Sequence, residues 1–365
     1  MIRRLLIAML VISTALSASV TAQAQDIRAK AGQMLLLGFQ GDSAANDWPR
    51  GMAALIRDGK IGGLMYLKYN VASLNAVKSM NQMFLEAGGR VPPFIALDQE
   101  GGYIERLTEA VGFEEIPTAQ WIAENRSPRQ AENVYKSLAS SLRALGFNLN
   151  FGPVVDVNVN PSNPIIAKYG RSYSADPAKV SAYARAFVEG HRAAGVLTAL
   201  KHFPGHGSST GDTHEGFVDI SQSWSQAEMQ PYAALAQSGD IDMVMSSHLF
   251  MDRFNQDGGQ APASLSPIGI KFFLRQPLRY DGVVITDDLE MGAIRKHFSL
   301  SETVINAVNA GNDILLFSNT VSPHLGLADE ILDIMVTEAE RDPAFAARID
   351  ESYGRIMALK SRLRG

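Results

Sequence analysis

The sequence predicts an α/β fold, a single-domain (β/α)8 barrel of the TIM type running from residue 25 to residue 365. Three observations carry that expectation. Eight short apolar runs recur along the chain, each passing into polar residues. Stretches of helical periodicity fill the intervals between them. No Ser/Gly/Pro-rich linker, block of like charge or short repeat divides residues 25 to 365. Runs that are apolar throughout, rather than alternating, suit strands buried on both faces of a parallel sheet. Strands alternating with helices in one undivided unit then give a barrel. A doubly wound open sheet is the alternative, but no strand leads into a GxGxxG turn of the dinucleotide-binding kind.

In chain order the runs are MLLLGF (34–39), GGLMYL (62–67), FIALD (94–98), NLNFGPVVD (148–156), VLTALKH (196–202), DMVMSSH (242–248), GVVITDD (282–288) and DILLF (313–317). Amphipathic helices are expected between them, among others over Ala131–Leu145, Ala178–Ala194, Gln226–Gln237 and Ser301–Ala310. In such a barrel the catalytic face is built at the carboxyl ends of the strands. The third strand ends in Asp98, the fourth in Asp156, the fifth in Lys201 and His202, the sixth in His248 and the seventh in Asp287 and Asp288. Packing does not explain them, because a buried polar group costs free energy unless it finds a partner.

Composition narrows the function classes. The chain has 365 residues, 46% of them hydrophobic and 19% charged, and a formal net charge of -5. A mildly acidic balance gives no electrostatic reason to expect nucleic acid; small or neutral substrates fit better. The N-terminus has Arg3 and Arg4, an apolar run from Leu5 to about Val20, then Ala22-Gln23-Ala24. That is the order of a secretory signal peptide over residues 1–24, with cleavage after Ala24; an uncleaved anchor is the alternative. The chain has no cysteine, which excludes disulfides and a lipid-modified N-terminal cysteine. No second run is long enough to cross a membrane, so the expected location is the periplasm, with secretion as second choice.

KHFPGHGSSTGDTH, residues 201–214, concentrates the candidate chemistry. His202 and His206 have the i, i+4 spacing of zinc ligands on a helix, but Pro204 and Gly205 interrupt any helical turn and no HEXXH is present. Neither a metal nor a cofactor is expected. Asp212, two residues before His214, can fix the imidazole tautomer and favour the protonated ring, giving a proton donor and acceptor. In VVITDD, strand alternation points one of Asp287 and Asp288 into the barrel mouth and the other away. A barrel-mouth carboxylate, a proton shuttle and several hydrogen bonders make up what a retaining glycosidase needs.

These residues lie in motifs that resemble glycoside hydrolase family 3, and within it the NagZ-type β-N-acetylglucosaminidases. The motifs are LDQEGG (97–102), LNFGPVVDVN (149–158), GRSY (170–173), KHFPGHGSSTGDTH (201–214), MSSH (245–248) and ITDDLEMGAI (285–294), with AGNDILLF (310–317) a weaker one. The resemblance implies that Asp287 is the nucleophile, His214 the acid/base and Asp212 its dyad partner. It places Asp98, Arg106, Arg171, Lys201 and His202 at sugar-binding positions, and gives Glu100, His206, His248 and Asp288 supporting places. Lys201 and Arg171 are expected to keep Asp287 ionised. Gly207 and Gly211, flanking the SST segment, are expected to let the His214 loop swing in over bound sugar.

The implied substrate is a glycan containing N-acetylglucosamine, a peptidoglycan fragment or a chitooligosaccharide, cleaved by a monomer. Two departures stand out. Tyr103 follows EGG where the family commonly has arginine, and GSSTGD replaces a more polar loop, which leaves the aglycone preference open. An export signal also sits oddly with relatives that recycle wall fragments in the cytoplasm. The alternatives are a phosphorylase on the same scaffold and a non-catalytic sugar- or wall-binding protein.

Overall fold

The structure is a computed structural model that describes residues 24–255 and 259–364. Apart from Ala24, the expected export signal lies outside the described residues. Eight parallel strands form the central sheet: β1 (Leu35–Gly38), β2 (Gly63–Tyr66), β3 (Phe94–Leu97), β4 (Leu149–Asn150), β5 (Leu197–Phe203), β7 (Met243–Ser246), β9 (Val283–Thr286) and β10 (Leu315–Phe317). Their order is β10-β1-β2-β3-β4-β5-β7-β9, and a parallel bridge between Ile285 and Ile314 joins the two outer strands into a ring. All eight predicted runs are therefore barrel strands. Every residue of these strands is buried, as expected of a sheet covered on both faces.

Two expected elements differ for a chemical reason. The fourth strand, predicted over 148–156, pairs regularly only at Leu149 and Asn150. Pro153 has no N–H for the ladder, and pairing resumes only through the Val154–Lys201 bridge. The helix predicted over Gln226–Gln237 divides into a 3-10 turn, Gln226–Met229, and an α-helix, Gln230–Ser238, with Pro231 in its first turn. Elsewhere caps set the starts. Ser127 and Gln130 form a reciprocal capping box that begins the helix Pro128–Ala144. Ser299 and Glu302 do the same for Leu300–Ala310, which ends at the left-handed Gly311.

Two short strands, β6 (Val218–Asp219) and β8 (Leu249–Phe250), pair outside the barrel. They have their own apolar cluster of Val218, Ile220, Leu249, Met251, Phe254 and Ala263. This ribbon ties the long loop after β5 to the loop after β7. At the opposite, amino-end face, the C-terminal helix Pro343–Ser361 closes the barrel floor. Lys360 there is almost fully buried; its Nζ donates to Gly62 O at 2.7 Å and Gln33 Oε1 at 2.8 Å and lies 4.8 Å above the Phe94 ring. Asp313, from the motif AGNDILLF, is also remote from the mouth: it accepts from Arg275, Arg348, Arg355 and Ser352 and holds helices to the strands.

Candidate active site

The site begins with the segment that leaves β3. Asp98 Oδ2 accepts from Arg106 at 2.7 Å, and its Oδ1 accepts from Lys201 Nζ at 2.6 Å. Lys201, at the end of β5, also lies 2.7 Å from Glu100 Oε1. Glu100 receives both Nε and Nη2 of Arg171, at 2.9 and 2.8 Å, a two-point pair that fixes the guanidinium plane. Burial alone would raise both carboxyls. The charges of Lys201 and Arg106 hold Asp98 well below the usual range, and Arg171 with Lys201 holds Glu100 down to about 2.

Arg171 then touches His202: its Nη2 lies 3.3 Å from Nε2. On the other side of the ring, Nδ1 lies 2.7 Å from Asp156 Oδ2. An Nδ1–H donated to Asp156 leaves Nε2 to accept from Arg171, so the two partners select one tautomer. Asp156 is fully buried, and its Oδ1 also accepts the backbone N–H groups of His202 at 3.1 Å and His206 at 2.8 Å. Burial opposes ionisation, but His202 and His206 hold its carboxyl down to about 2. The residue was visible at the end of the fourth predicted strand; its tie to His202 was not, because it depends on pairing across β4 and β5.

Asp287 follows β9. Its N–H donates to Ser246 O at 2.8 Å, and its Oδ1 accepts the N–H of Asp288 at 2.9 Å. Burial pushes its carboxyl upward, but the imidazoles of His248 and His214 and the N–H of Asp288 are among the groups that outweigh that and leave it below the ordinary aspartate value. The expected reason therefore changes. Lys201 and Arg171 are occupied by Asp98 and Glu100, and histidines keep Asp287 ionised. Asp288 behaves oppositely: burial pushes its carboxyl up to about 6 while its Oδ1 accepts from Ser318 N at 2.8 Å and Glu290 N at 3.1 Å. His248 braces this corner, with Nε2 2.8 Å from the Asp288 carbonyl, which can only accept, and Nδ1 2.7 Å from Ser264 Oγ.

His214 comes in on the loop after β5. Its Nδ1 lies 2.7 Å from Asp212 Oδ1, which also accepts the His214 N–H at 2.9 Å. The dyad read from spacing is thus formed. The loop is tethered at its far end, where His214 O and Thr213 O accept from Gly292 and Ala293. Gly292 permits that approach, since a Cβ there would lie 2.7 Å from His214 O. The near end is fixed as well. Gly207 packs its Cα against Val157, whose carbonyl a Cβ would meet at 1.7 Å, and Asn163 Nδ2 bonds His206 O and Ser209 Oγ. Gly207 is therefore a close-packing glycine rather than the hinge expected, and any freedom begins at the exposed Thr210.

A cavity of about 290 Å³ brings together Asp98, Arg106, Arg171, Lys201, His202, His214, Asp287 and Asp288, with Met65, Phe151, Met245 and Leu316 among its apolar lining. Glu100, His206, His248 and Asp212 stand behind that lining. His206 bonds Ser209 Oγ at 2.6 Å, and burial pushes its imidazole down to about 4. Among the described residues, no group of three or more His, Asp or Glu side chains is placed to hold a metal ion. One further carboxyl was not foreseen. Glu228 is fully buried below the His214 loop and accepts the Gly207 N–H at 2.8 Å.

A polar cavity at the carboxyl ends of a parallel barrel, with carboxylates and cationic donors in its lining, is the kind of site a glycoside hydrolase uses. The chain belongs to glycosyl hydrolase family 3: residues 26–359 match that family's N-terminal domain. Beta-hexosaminidase LpqI of Mycobacterium tuberculosis is 31% identical over 341 residues, covering 91% of this chain and 82% of that protein. Beta-hexosaminidase A of Pseudoalteromonas piscicida is 30% identical across 91% of this chain, which spans 60% of that relative's length. Among solved structures, a beta-N-acetylhexosaminidase from Beutenbergia cavernae is similar with a TM-score of 0.82 and 31% identity, covering 92% of this chain and 98% of that one. A family 3 beta-N-acetylglucosaminidase from Paenibacillus has the same TM-score at 33% identity, covering 92% of this chain and 62% of that one. No described helix is long and apolar enough to cross a membrane.

Proposed function

We propose that this protein is a retaining exo-β-N-acetylglucosaminidase that removes terminal β-linked N-acetylhexosamine from peptidoglycan fragments or chitooligosaccharides. One observation carries the reading: the half-buried, ionised Asp287 and His214, held by Asp212, line the same cavity. In the first step Asp287 attacks the anomeric carbon while the glycosidic bond breaks and His214 gives its proton to the departing oxygen. In the second, His214 takes a proton from water, whose oxygen displaces Asp287 from the sugar. Asp212 holds Nδ1 throughout, which keeps Nε2 as the working nitrogen. His214 is 64% exposed, so it can exchange its proton with solvent between turnovers.

Asp98 supplies acceptors for sugar hydroxyls, and Arg106, Arg171 and Lys201 supply donors already fixed by their partners. The relatives named as hexosaminidases support an N-acetylhexosamine as the sugar. Export to the periplasm and action as a monomer complete the proposal. The test is turnover of an aryl β-N-acetylglucosaminide beside the matching glucoside, by wild type and Asp287→Ala. The wild type should prefer the acetamido sugar and the variant should be inert; undiminished turnover by the variant would remove Asp287 from its role. Product analysis in phosphate buffer separates hydrolysis from phosphorolysis, since only the latter yields the glycosyl phosphate.

A further inference from the structure

Tyr103 is 75% exposed, more than any other large hydrophobic side chain among the described residues. An aromatic ring left in water forgoes a large burial term, and single exposed apolar residues are ordinary on flexible surfaces. Tyr103 is not on a flexible surface. It stands at the tip of a tight turn in which Gly101 and Ile104 pair as an antiparallel bridge, Glu100 N–H donates to Ile104 O at 2.9 Å, and Gly102 N–H donates to Ile116 O at 2.7 Å. Gly101 and Gly102 have φ of +100° and +60°, and a Cβ on Gly102 would lie 2.3 Å from Thr118 Cγ2. The legs of the turn are held by the Glu100–Arg171 and Arg106–Asp98 pairs. The backbone thus presents the ring in one place.

Its chain neighbours border the catalytic cavity. Ile104 and Arg106, which follow Tyr103, line the cavity, and so do Ile165 and Arg171, which bracket Tyr169 in sequence. The Tyr103 and Tyr169 rings meet at 5.4 Å between centroids, and Lys168 Nζ lies 5.1 Å from the Tyr169 ring centre. On its other side Tyr103 borders an open depression with Gly102, Glu115, Pro117, Thr118 and Trp121. The cavity has room for about one sugar unit, so in an exo-acting enzyme the terminal sugar fills it and the leaving group lies outside it.

We propose that Tyr103, supported by Tyr169, is the stacking platform of the leaving-group subsite and takes the C–H face of the pyranose ring next to the scissile bond. The inference rests on the glycosidase reading above. A pyranose face offers several C–H groups of slight positive charge to the negative face of a phenol ring, and tyrosine loses little rotamer freedom on contact. Tyr103 would act on binding and specificity and would touch no reacting atom.

The test compares two substrates. N,N′-diacetylchitobiose places a sugar at the rim, whereas β-N-acetylglucosaminyl fluoride fills only the cavity. For Tyr103→Ala, KM for chitobiose should rise about fivefold with kcat within about twofold of wild type, the value of one aromatic contact. Turnover of the fluoride should not change. Tyr103→Phe should restore the chitobiose KM, because stacking needs the ring and not the hydroxyl, and Tyr169→Ala should raise it by a smaller factor. An unchanged chitobiose KM in Tyr103→Ala would overturn the proposal, as would an equal loss on both substrates, which would mark a structural role. Wild type inert toward the fluoride would instead refute the glycosidase reading, and the subsite with it.

Discussion

Replacing Glu228 by glutamine should change how the protein's stability depends on pH. The carboxyl lies in the 3-10 turn before the helix Gln230–Ser238, fully buried, with Gly207 N–H bonded to Oε2. Burial is the main cause that pushes it from an ordinary 4.5 up to about 7; the charge of Asp156 adds to this and the Gly207 bond partly offsets it. At about 1.4 kcal/mol per unit, the shift corresponds to about 3 kcal/mol. Between the two values the unfolded chain has released the proton and the folded protein keeps it, so stability falls as pH rises. The contribution is fully present below pH 4.5 and is lost once pH passes the folded value near 7. Glutamine keeps the shape and does not titrate. Urea unfolding of wild type and Glu228→Gln at about pH 4.5, 6 and 7.5 should therefore show the gap moving in favour of the variant by about 3 kcal/mol across the series. A gap that stays constant would show that Glu228 has an unshifted carboxyl and refute the reasoning.

Asp156→Asn should lower kcat/KM by about 10- to 100-fold, the loss of a charge-assisted bond to His202, with a smaller effect on thermal stability; steady-state kinetics beside a melting curve check this. His214→Ala should lose more activity on substrates with poor leaving groups than on activated aryl glycosides, since a good leaving group needs little protonation. Equal losses across a leaving-group series would exclude the acid role. Lys360 tests the opposite sign from Glu228: burial lowers its ammonium from 10.5 to about 7, so the folded state gives up its proton first and stability rises with pH above 7. Wild type should gain about 2 kcal/mol relative to Lys360→Met between pH 7 and 9, measured by urea unfolding.

The barrel was legible because its strands are buried on both faces, which leaves uninterrupted apolar runs such as MLLLGF and FIALD in the sequence. Strand ends pointed equally directly to Asp98, Lys201, His202 and Asp287. What sequence reading missed depends on contacts between distant segments. Glu228 sits in the polar stretch SWSQAEMQ, where nothing marks it as buried; its environment comes from the loop at Gly205–Gly207, about twenty residues away. The cation pairs Lys201–Asp98 and Arg171–Glu100 join partners 103 and 71 residues apart, so the true electrostatic neighbours of Asp287 could not be read from spacing. Gly207 looked like a hinge because glycine's freedom and its small size leave the same letter in a sequence; only the nearby Val157 carbonyl separates them.

The closed floor has a practical consequence. Lys360, Gln33, Gly62 and Phe94 meet at the amino ends of the strands, a full barrel length from Asp287 and Tyr103. Changes at sites so far apart, with no shared partner, combine almost additively. A variant hardened at the floor can therefore accept alterations at the rim without repacking either region, and the two can be optimised in separate rounds before being joined.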